Sequence, residues 1–246
     1  MPSDPIKTES SAPPELMLVM PIYNEQDNIA KVINDWTAEL CRLQIRFEFL
    51  ALNDGSKDKT AEVLAEMEKA HPGVLIPVNK QNSGHGRTCR FGYETAIRRG
   101  ASWVLQIDSD GQCLPEYFSE LWNKREGADC VFGERATRGD GFTRVWISKA
   151  CRLFTSLLAG IDLRDANVPY RLIRVPFLEK ALQSIPEDFD MQNVALTLSL
   201  KRNPSARWSY VPIHFPDRQG GTNSINLKRI LAMGWTLLNN LHRIGR

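Results

Sequence analysis

Two aspartates one residue apart, Asp108 and Asp110, close the apolar-leaning run "VLQIDSDGQCLP" at 104–115. Carboxylates set that close repel each other, and the core behind them offers neither one compensation. A cation between them reverses the balance. An Asp-x-Asp pair at a strand end suits a hard divalent ion held by one or two carboxylates, with phosphate oxygens completing its shell. Mg²⁺ and Mn²⁺ both accept such all-oxygen sites, and the side-chain carbonyl of Gln112 is a further candidate ligand. The same "DSDG" is also good turn chemistry, in which the aspartates only cap a helix.

Two other clusters bear on what such an ion would hold. "NSGHG" at 82–86 places Gly84 and Gly86 ahead of a helix. Its backbone N–H groups and the helix N-terminus can stabilise a diphosphate, although the stretch also reads as a plain loop. "NDGSKDKT" at 53–60 combines a tight glycine turn with Ser56 or Asp58 as helix N-cap. Asp54 in that stretch is free to accept hydrogen bonds from a base or a ribose, or else is an exposed turn residue.

The elements that must position these clusters alternate along the chain. Buried strands are expected at 16–22, 47–54, 74–79, 103–108 and 128–134. Helical spacing falls between them, at 28–43, 58–70, around Phe91, Ala96 and Ile97, and at 116–124. This rhythm predicts an α/β fold, a Rossmann-like and mostly parallel sheet with helices on both faces. Ligands of such sheets bind beyond the carboxyl ends of the strands, and there "YNE", "NDGS", "NSGHG" and "DSDGQ" all fall, in one crevice. The second half is less regular. Helical periodicity runs over 143–159, strands are expected at 168–175 and 207–215, and helices at 191–201 and 225–244. In the last of these, Leu227, Ile230, Leu231, Leu238 and Leu241 share one face.

Composition bounds the reading. Apolar residues make up 42% and charged residues 24%, the balance of an ordinary globular protein. A net charge of +2 predicts no nucleic-acid partner. Positive charge is nevertheless concentrated in the segment from Arg135 to Lys180 and in the last twenty residues, which hold no acid. Five cysteines lie scattered without a pairing pattern, which predicts a reducing compartment, with most of them small core residues and Cys113 as a candidate exception beside the aspartates. No run of 18 apolar residues occurs, so no transmembrane helix is expected. The polar Pro- and Ser-rich residues 1–15 read as a disordered tail rather than a signal peptide, and the protein is expected in the cytosol.

In order and position, "VMPIYNEQDNI", "LNDGSKDKT", "NSGHGRTCRFG", "IDSDGQCLP" and "DCVFGER" resemble the inverting family 2 glycosyltransferases, which have the GT-A fold. The resemblance spans about 16 to 226. It is strongest to the polyprenyl-phosphate branch typified by dolichyl-phosphate mannosyltransferase, through "GERATRGDGFTRVWIS", "DANVPYRLIR" and "PDRQGGTNSIN". It implies a GT-A domain over 16–224 followed by a C-terminal amphipathic helix at 225–246. It also implies that Pro21, Tyr23 and Glu25, with Asp54, line a nucleotide base pocket. Asp108, Asp110 and Gln112 correspond to the metal and diphosphate site. Arg135, Arg144 and Ser148 fall where the family binds an acceptor phosphate, Arg218 matches a basic residue that reaches the donor phosphates, and Ser224 stands near a family serine. The sequence departs from the pattern at Asn53, where an aspartate is usual, at Asn226, where a lysine is common, and in a short Arg135-to-Arg144 loop.

The expected activity is therefore metal-dependent, inverting transfer of a sugar from a nucleoside diphosphate to a polyprenyl phosphate, with Mg²⁺ or Mn²⁺ as cofactor. A phosphomonoester acceptor is already anionic at neutral pH and needs cations to position it, a task arginine suits by binding phosphate bidentately. Arg144 and Ser148, four apart, share a helical face. A hydroxyl acceptor would instead need a general base, for which Asp190 or Asp188 in "EDFDMQN" are candidates, although a helix start explains both. Two other readings stay open: a family 2 enzyme acting on a saccharide or other hydroxyl, and a catalytically silent nucleotide-sugar-binding subunit. The leucine face of 225–244, with Trp235 at its edge and Lys228, Arg229, Arg243 and Arg246 around it, can lie on an anionic membrane surface. It can equally pack on the domain or dock to a membrane-embedded partner.

Overall fold

Strand β1 (Leu16–Ile22) is buried along its whole length, as are β2 (Phe47–Asp54) and β4 (Trp103–Ile107). Strands covered on both faces read as continuous apolar runs, which is why their bounds are visible in the sequence. The computed structural model describes residues 12–135, 168–187, 189 and 192–216. Within them, helices α1 (Ile29–Arg42), α2 (Thr60–Ala70), α3 (His85–Arg98) and α4 (Phe118–Lys124) alternate with β1, β2, β3 (Leu75–Lys80), β4 and β5 (Cys130–Arg135). Strand β6 (Tyr170–Arg174), helices α5 (Val175–Gln183) and α6 (Gln192–Arg202), and strand β7 (Trp208–Ile213) follow.

The seven strands form one sheet in the order β3-β2-β1-β4-β6-β5-β7. β1, β2, β3 and β4 run parallel, β6 is antiparallel to both β4 and β5, and β7 is parallel to β5. The expected α/β class with a mostly parallel sheet is therefore the observed one. The chain builds outward from β1 through β2 to β3, then returns to place β4 on the other flank of β1. That reversal leaves a crevice beyond the carboxyl ends of β1 and β4.

Helix α3 packs closely on β1 and β2. A Cβ at Gly92 would lie 2.3 Å from Val19 Cγ1 and 2.9 Å from Leu52 Cδ1, so no larger residue fits between helix and strands. Across the sheet, the buried Arg171 guanidinium on β6 donates to the Val168 carbonyl at 2.6 Å and the Asn193 carbonyl at 2.9 Å, tying the strand to the start of α6.

Helix α5 is a correction. The stretch 168–175 reads as one strand, yet β6 ends at Arg174 and a helix starts at Val175 without a loop. Pro176 sits in its first turn, where the missing N–H costs nothing, and Val175, Leu178, Ala181 and Leu182 form its buried face. The expected helices at 143–159 and 225–244, and most of the N-terminal tail, lie outside the described residues.

Candidate active site

The loops after β1 and β2 are stitched together before any ligand is considered. The Asn24 N–H donates to Ser56 Oγ at 2.9 Å, and the Lys57 N–H to Asn24 Oδ1 at 2.8 Å. The Glu25 N–H donates to Thr60 Oγ1 at 2.9 Å, and the Gln26 N–H to Asp58 Oδ2 at 3.2 Å. Neither Ser56 nor Asp58 is the N-cap of α2, a position held by Lys59. Ser56 serves the neighbouring loop instead, and Asp58 accepts the Thr60 N–H from just outside the helix at 3.0 Å. This lattice fixes the loop that carries Tyr23, whose ring is 44% exposed and is the exposed large hydrophobic side chain among the described residues. An aromatic face held at a cleft rim is a platform for a flat ligand.

Asp54 is neither free nor exposed. Its residue is only 3% accessible, and its carboxylate is bonded to Lys80 Nζ, to the Ser83 N–H at 2.8 Å and to the Gly84 N–H at 2.9 Å. Burial pushes its pKa up, but the Lys80 and Ser83 hydrogen bonds, Thr88 and the Lys80 charge outweigh that and hold it below the ordinary carboxylate range. Lys80 also reaches Ser83 Oγ at 2.7 Å and Thr88 Oγ1 at 3.1 Å. Asn53 is likewise committed, donating to Asn79 Oδ1 at 2.7 Å and accepting the Ser56 N–H at 3.0 Å.

The Asp54–Lys80 pair thus shapes the glycine turn that starts α3. Gly84 has φ +88°, a backbone few other residues adopt, and α3 begins at the next residue. The N–H groups of the first turn have no intrahelical partner, so a helix N-terminus opens toward the cleft at His85 and Gly86. Lys80→Met leaves the Asp54 carboxylate buried without its cation. It is expected to lower stability by about 3–5 kcal/mol, measured by urea unfolding at neutral pH. A change within experimental error would show that the pair does not hold the turn.

Asp108 and Asp110 face this helix start from the end of β4. Asp108 Oδ1 accepts from His85 Nε2 at 2.9 Å and from Gln106 Nε2 at 3.3 Å. Asp110 Oδ1 accepts the Gln112 N–H at 3.1 Å. The His85 pKa is raised far above its ordinary value, first by the Cys89 sulfur one turn along α3 and, against the cost of burial, by the Asp108 carboxylate. Pro21, Tyr23, Glu25, Asp54, Gly84, His85, Asp108 and Asp110 all line one cleft of about 320 Å³. Gly86 stands beside it in the first turn of α3. His85 is the residue that spacing alone did not single out, because "NSGHG" carried its signal in the glycines.

A second cleft of about 210 Å³ shares Asp110 and continues past Trp36, Leu114 and Pro115 to Pro216. Gln112 bridges to that side: its Nε2 donates to the Pro216 carbonyl at 2.8 Å. The amide nitrogen thus tethers the chain two residues before Arg218, which lies outside the described residues, as do Arg144, Ser148, Asp188, Asp190 and Ser224. Arg135 ends β5 with its guanidinium 4.8 Å from the centre of the Phe215 ring. The Cys113 thiol is buried between these groups, donates to the Pro169 carbonyl at 3.0 Å, and is pushed well up by burial and then by the Asp108 charge. It is a neutral thiol in the core, buried as Cys89 and Cys130 are, whereas Cys41 is exposed.

The donor set fits a hard divalent ion: two carboxylates one residue apart, both at the mouth of the cleft. Among the described residues no group of three or more His, Cys, Asp or Glu side chains could close a cage around a metal, so oxygens of a bound ligand would have to complete the shell. Nor is any helix of the described residues long and apolar enough to cross a membrane.

Known proteins are similar to this chain. A polyprenol monophosphomannose synthase of Mycolicibacterium smegmatis is 27% identical over 219 residues, covering 85% of this chain and 80% of its own. An undecaprenyl-phosphate 4-deoxy-4-formamido-L-arabinose transferase of Salmonella dublin is 25% identical over 233 residues, covering 92% and 67%. Among solved structures, glucosyl-3-phosphoglycerate synthase from Mycobacterium tuberculosis, in complex with Mn²⁺, uridine diphosphate and phosphoglyceric acid, superposes with a TM-score of 0.63. It is 19% identical and covers 93% of this chain and 79% of its own, a likeness of fold. The model of glycosyl transferase family 2 matches residues 17–181, more than half of the chain, and the protein is a glycosyltransferase belonging to that family.

Proposed function

We propose that the protein is a metal-dependent, inverting glycosyltransferase that moves a sugar from a nucleoside diphosphate to a polyprenyl phosphate. The observation that carries this reading is a single cleft lined by Tyr23, the opening turn of α3, Asp108 and Asp110. The names of the two relatives support the lipid phosphate as acceptor.

Pro21, Tyr23 and Glu25 receive the nucleoside, and Asp54 acts from behind by holding the turn at Gly84. The N–H groups at His85 and Gly86 receive the diphosphate. Asp108 and Asp110 hold Mg²⁺ or Mn²⁺, with Gln112 tethering the neighbouring segment. The bound ion supplies neutralisation of the charge that develops on the departing nucleoside diphosphate. Arg218, two residues beyond the Pro216 tether, adds a permanent positive charge to the same leaving group. Arg135, with Arg144 and Ser148, orients the acceptor phosphate. One of that phosphate's oxygens forms the new bond to the anomeric carbon from the face opposite the leaving group. The bond from that carbon to the diphosphate oxygen breaks, and the configuration inverts. The second pKa of a phosphomonoester is near ~6, so the acceptor arrives as a nucleophile and Asp190 has no proton to take. The basic, leucine-faced stretch 225–246 supplies contact with the cytosolic membrane surface.

The test is a partition assay. Full-length protein is incubated with Mn²⁺, a polyprenyl phosphate in vesicles containing anionic lipid, and a panel of labelled UDP- and GDP-sugars. Label from one sugar is expected to enter the organic phase, only with both metal and lipid present. Transfer to water-soluble saccharides with no lipid product would replace this reading with the hydroxyl-acceptor one.

A further inference from the structure

Gln106 is fully buried on β4, two residues before Asp108. The period of two along a strand puts both on the same face of the sheet. Val104, Leu105 and Ile107 around it are wholly buried and apolar. A carboxamide in that setting costs stability unless both of its ends are bonded. Both ends are. Tyr93, itself 1% exposed, donates its hydroxyl to Gln106 Oε1 at 3.3 Å, and Gln106 Nε2 donates to Asp108 Oδ1 at 3.3 Å.

The direction of this chain is set by chemistry. An ionised carboxylate only accepts, so the amide N–H must face Asp108 and the amide oxygen must face Tyr93. Burial pushes the Tyr93 phenol well up, so it stays a donor. The Asp108 carboxylate therefore decides which way round Gln106 sits, and the Tyr93 hydroxyl completes the chain by donating to the amide oxygen turned away from it. A leucine or methionine would fill the same volume without the polar cost, so packing alone gives no reason for the pair. The carboxylate oxygen they reach is also the one that His85 holds at 2.9 Å.

We infer that Gln106, held at its other end by Tyr93, is a positioning residue: it anchors Asp108 Oδ1 and so presents the other carboxylate oxygen to the cleft as the divalent-ion ligand. The inference rests on the divalent-ion reading of Asp108 and Asp110. Partners that orient a metal ligand from behind typically contribute about 10- to 100-fold to metal affinity.

Gln106→Met keeps the length of the side chain and removes the donor. The readout is Mn²⁺ affinity, measured by electron paramagnetic resonance of free Mn²⁺ at saturating UDP or GDP. Metal-independent nucleotide binding is measured beside it. Gln106→Met is expected to weaken Mn²⁺ binding by about tenfold or more, with metal-free nucleotide binding unchanged. Tyr93→Phe should weaken it in the same direction by a smaller factor. Asp108→Asn separates the two levels. If it leaves Mn²⁺ affinity at the wild-type value, the divalent-ion reading fails and the inference falls with it. If Asp108→Asn loses the ion while Gln106→Met and Tyr93→Phe both bind it as the wild type does, Gln106 is core filling and the inference is overturned. Should Gln106→Met not fold, Tyr93→Phe decides alone, and wild-type affinity in that variant overturns the inference.

Discussion

Asp110→Asn is expected to lower divalent-dependent turnover by about 10³-fold with the fold intact. Metal stabilisation of a departing phosphate is worth several kcal/mol, and each factor of ten corresponds to about 1.4 kcal/mol. Asp110 is a cleaner probe than Asp108. Asparagine keeps a side-chain oxygen able to accept the Gln112 N–H now held at 3.1 Å, so the turn after β4 survives the change. Asp108 also accepts from His85 and Gln106, so its replacement reports on those contacts as well as on the ion. The measurement is sugar transfer across a Mn²⁺ titration, with EDTA as the limiting point. The wild type should fall to the level of the variant when the metal is removed, and the variant should respond little to added Mn²⁺. Wild-type turnover that persists in EDTA would mean the two carboxylates serve only the turn.

The parts of this site legible in the sequence were those whose cause is local. β1 and β2 have the bounds their apolar runs announce, since strands buried on both faces leave no other pattern. The Asp-x-Asp at the end of β4 and the glycines ahead of α3 were visible for the same reason. What escaped depends on partners distant in the chain. Asp54 reads as an available acceptor until β3 brings Lys80 and the 82–84 turn against it. His85 reads as part of a backbone cradle, and only the packing of α3 on β4 brings its ring to Asp108. Gln106 passes unnoticed inside an apolar-leaning run because one polar residue hardly disturbs strand periodicity. Helix α5 was hidden differently. Val175 extends the apolar pattern of β6, and the proline that starts the helix follows directly, with no loop to mark the change.

Acceptor chemistry is decided by comparing Arg135→Ala with Asp190→Asn. Arg135 stands at the end of β5 against the Phe215 ring, and the charges of Asp108 and Asp110 reach the same buried Cys113 thiol that Arg135 opposes. A guanidinium at the end of the strand beside β6 makes a natural anchor for a second anionic group beside a donor diphosphate. Truncating one member of a buried, hydrogen-bonded charge pair costs about 2–5 kcal/mol, so Arg135→Ala should lower kcat/KM by roughly 30-fold to several thousandfold. A phosphate nucleophile has no proton to lose. Asp190→Asn should then cost only a few-fold, and the acid-side rise of kcat/KM, set by the acceptor phosphate's second pKa near ~6, should persist in the variant. A hydroxyl acceptor reverses the order. Its proton must be removed as the bond forms, and loss of the base costs about 10²–10⁴-fold. The decisive measurement is kcat/KM for both variants across pH 5–8, with the acceptor that the partition assay shows to be labelled. A loss above a hundredfold at Asp190, with little change at Arg135, would assign the enzyme a hydroxyl acceptor and leave the β5 arginine a packing role on Phe215.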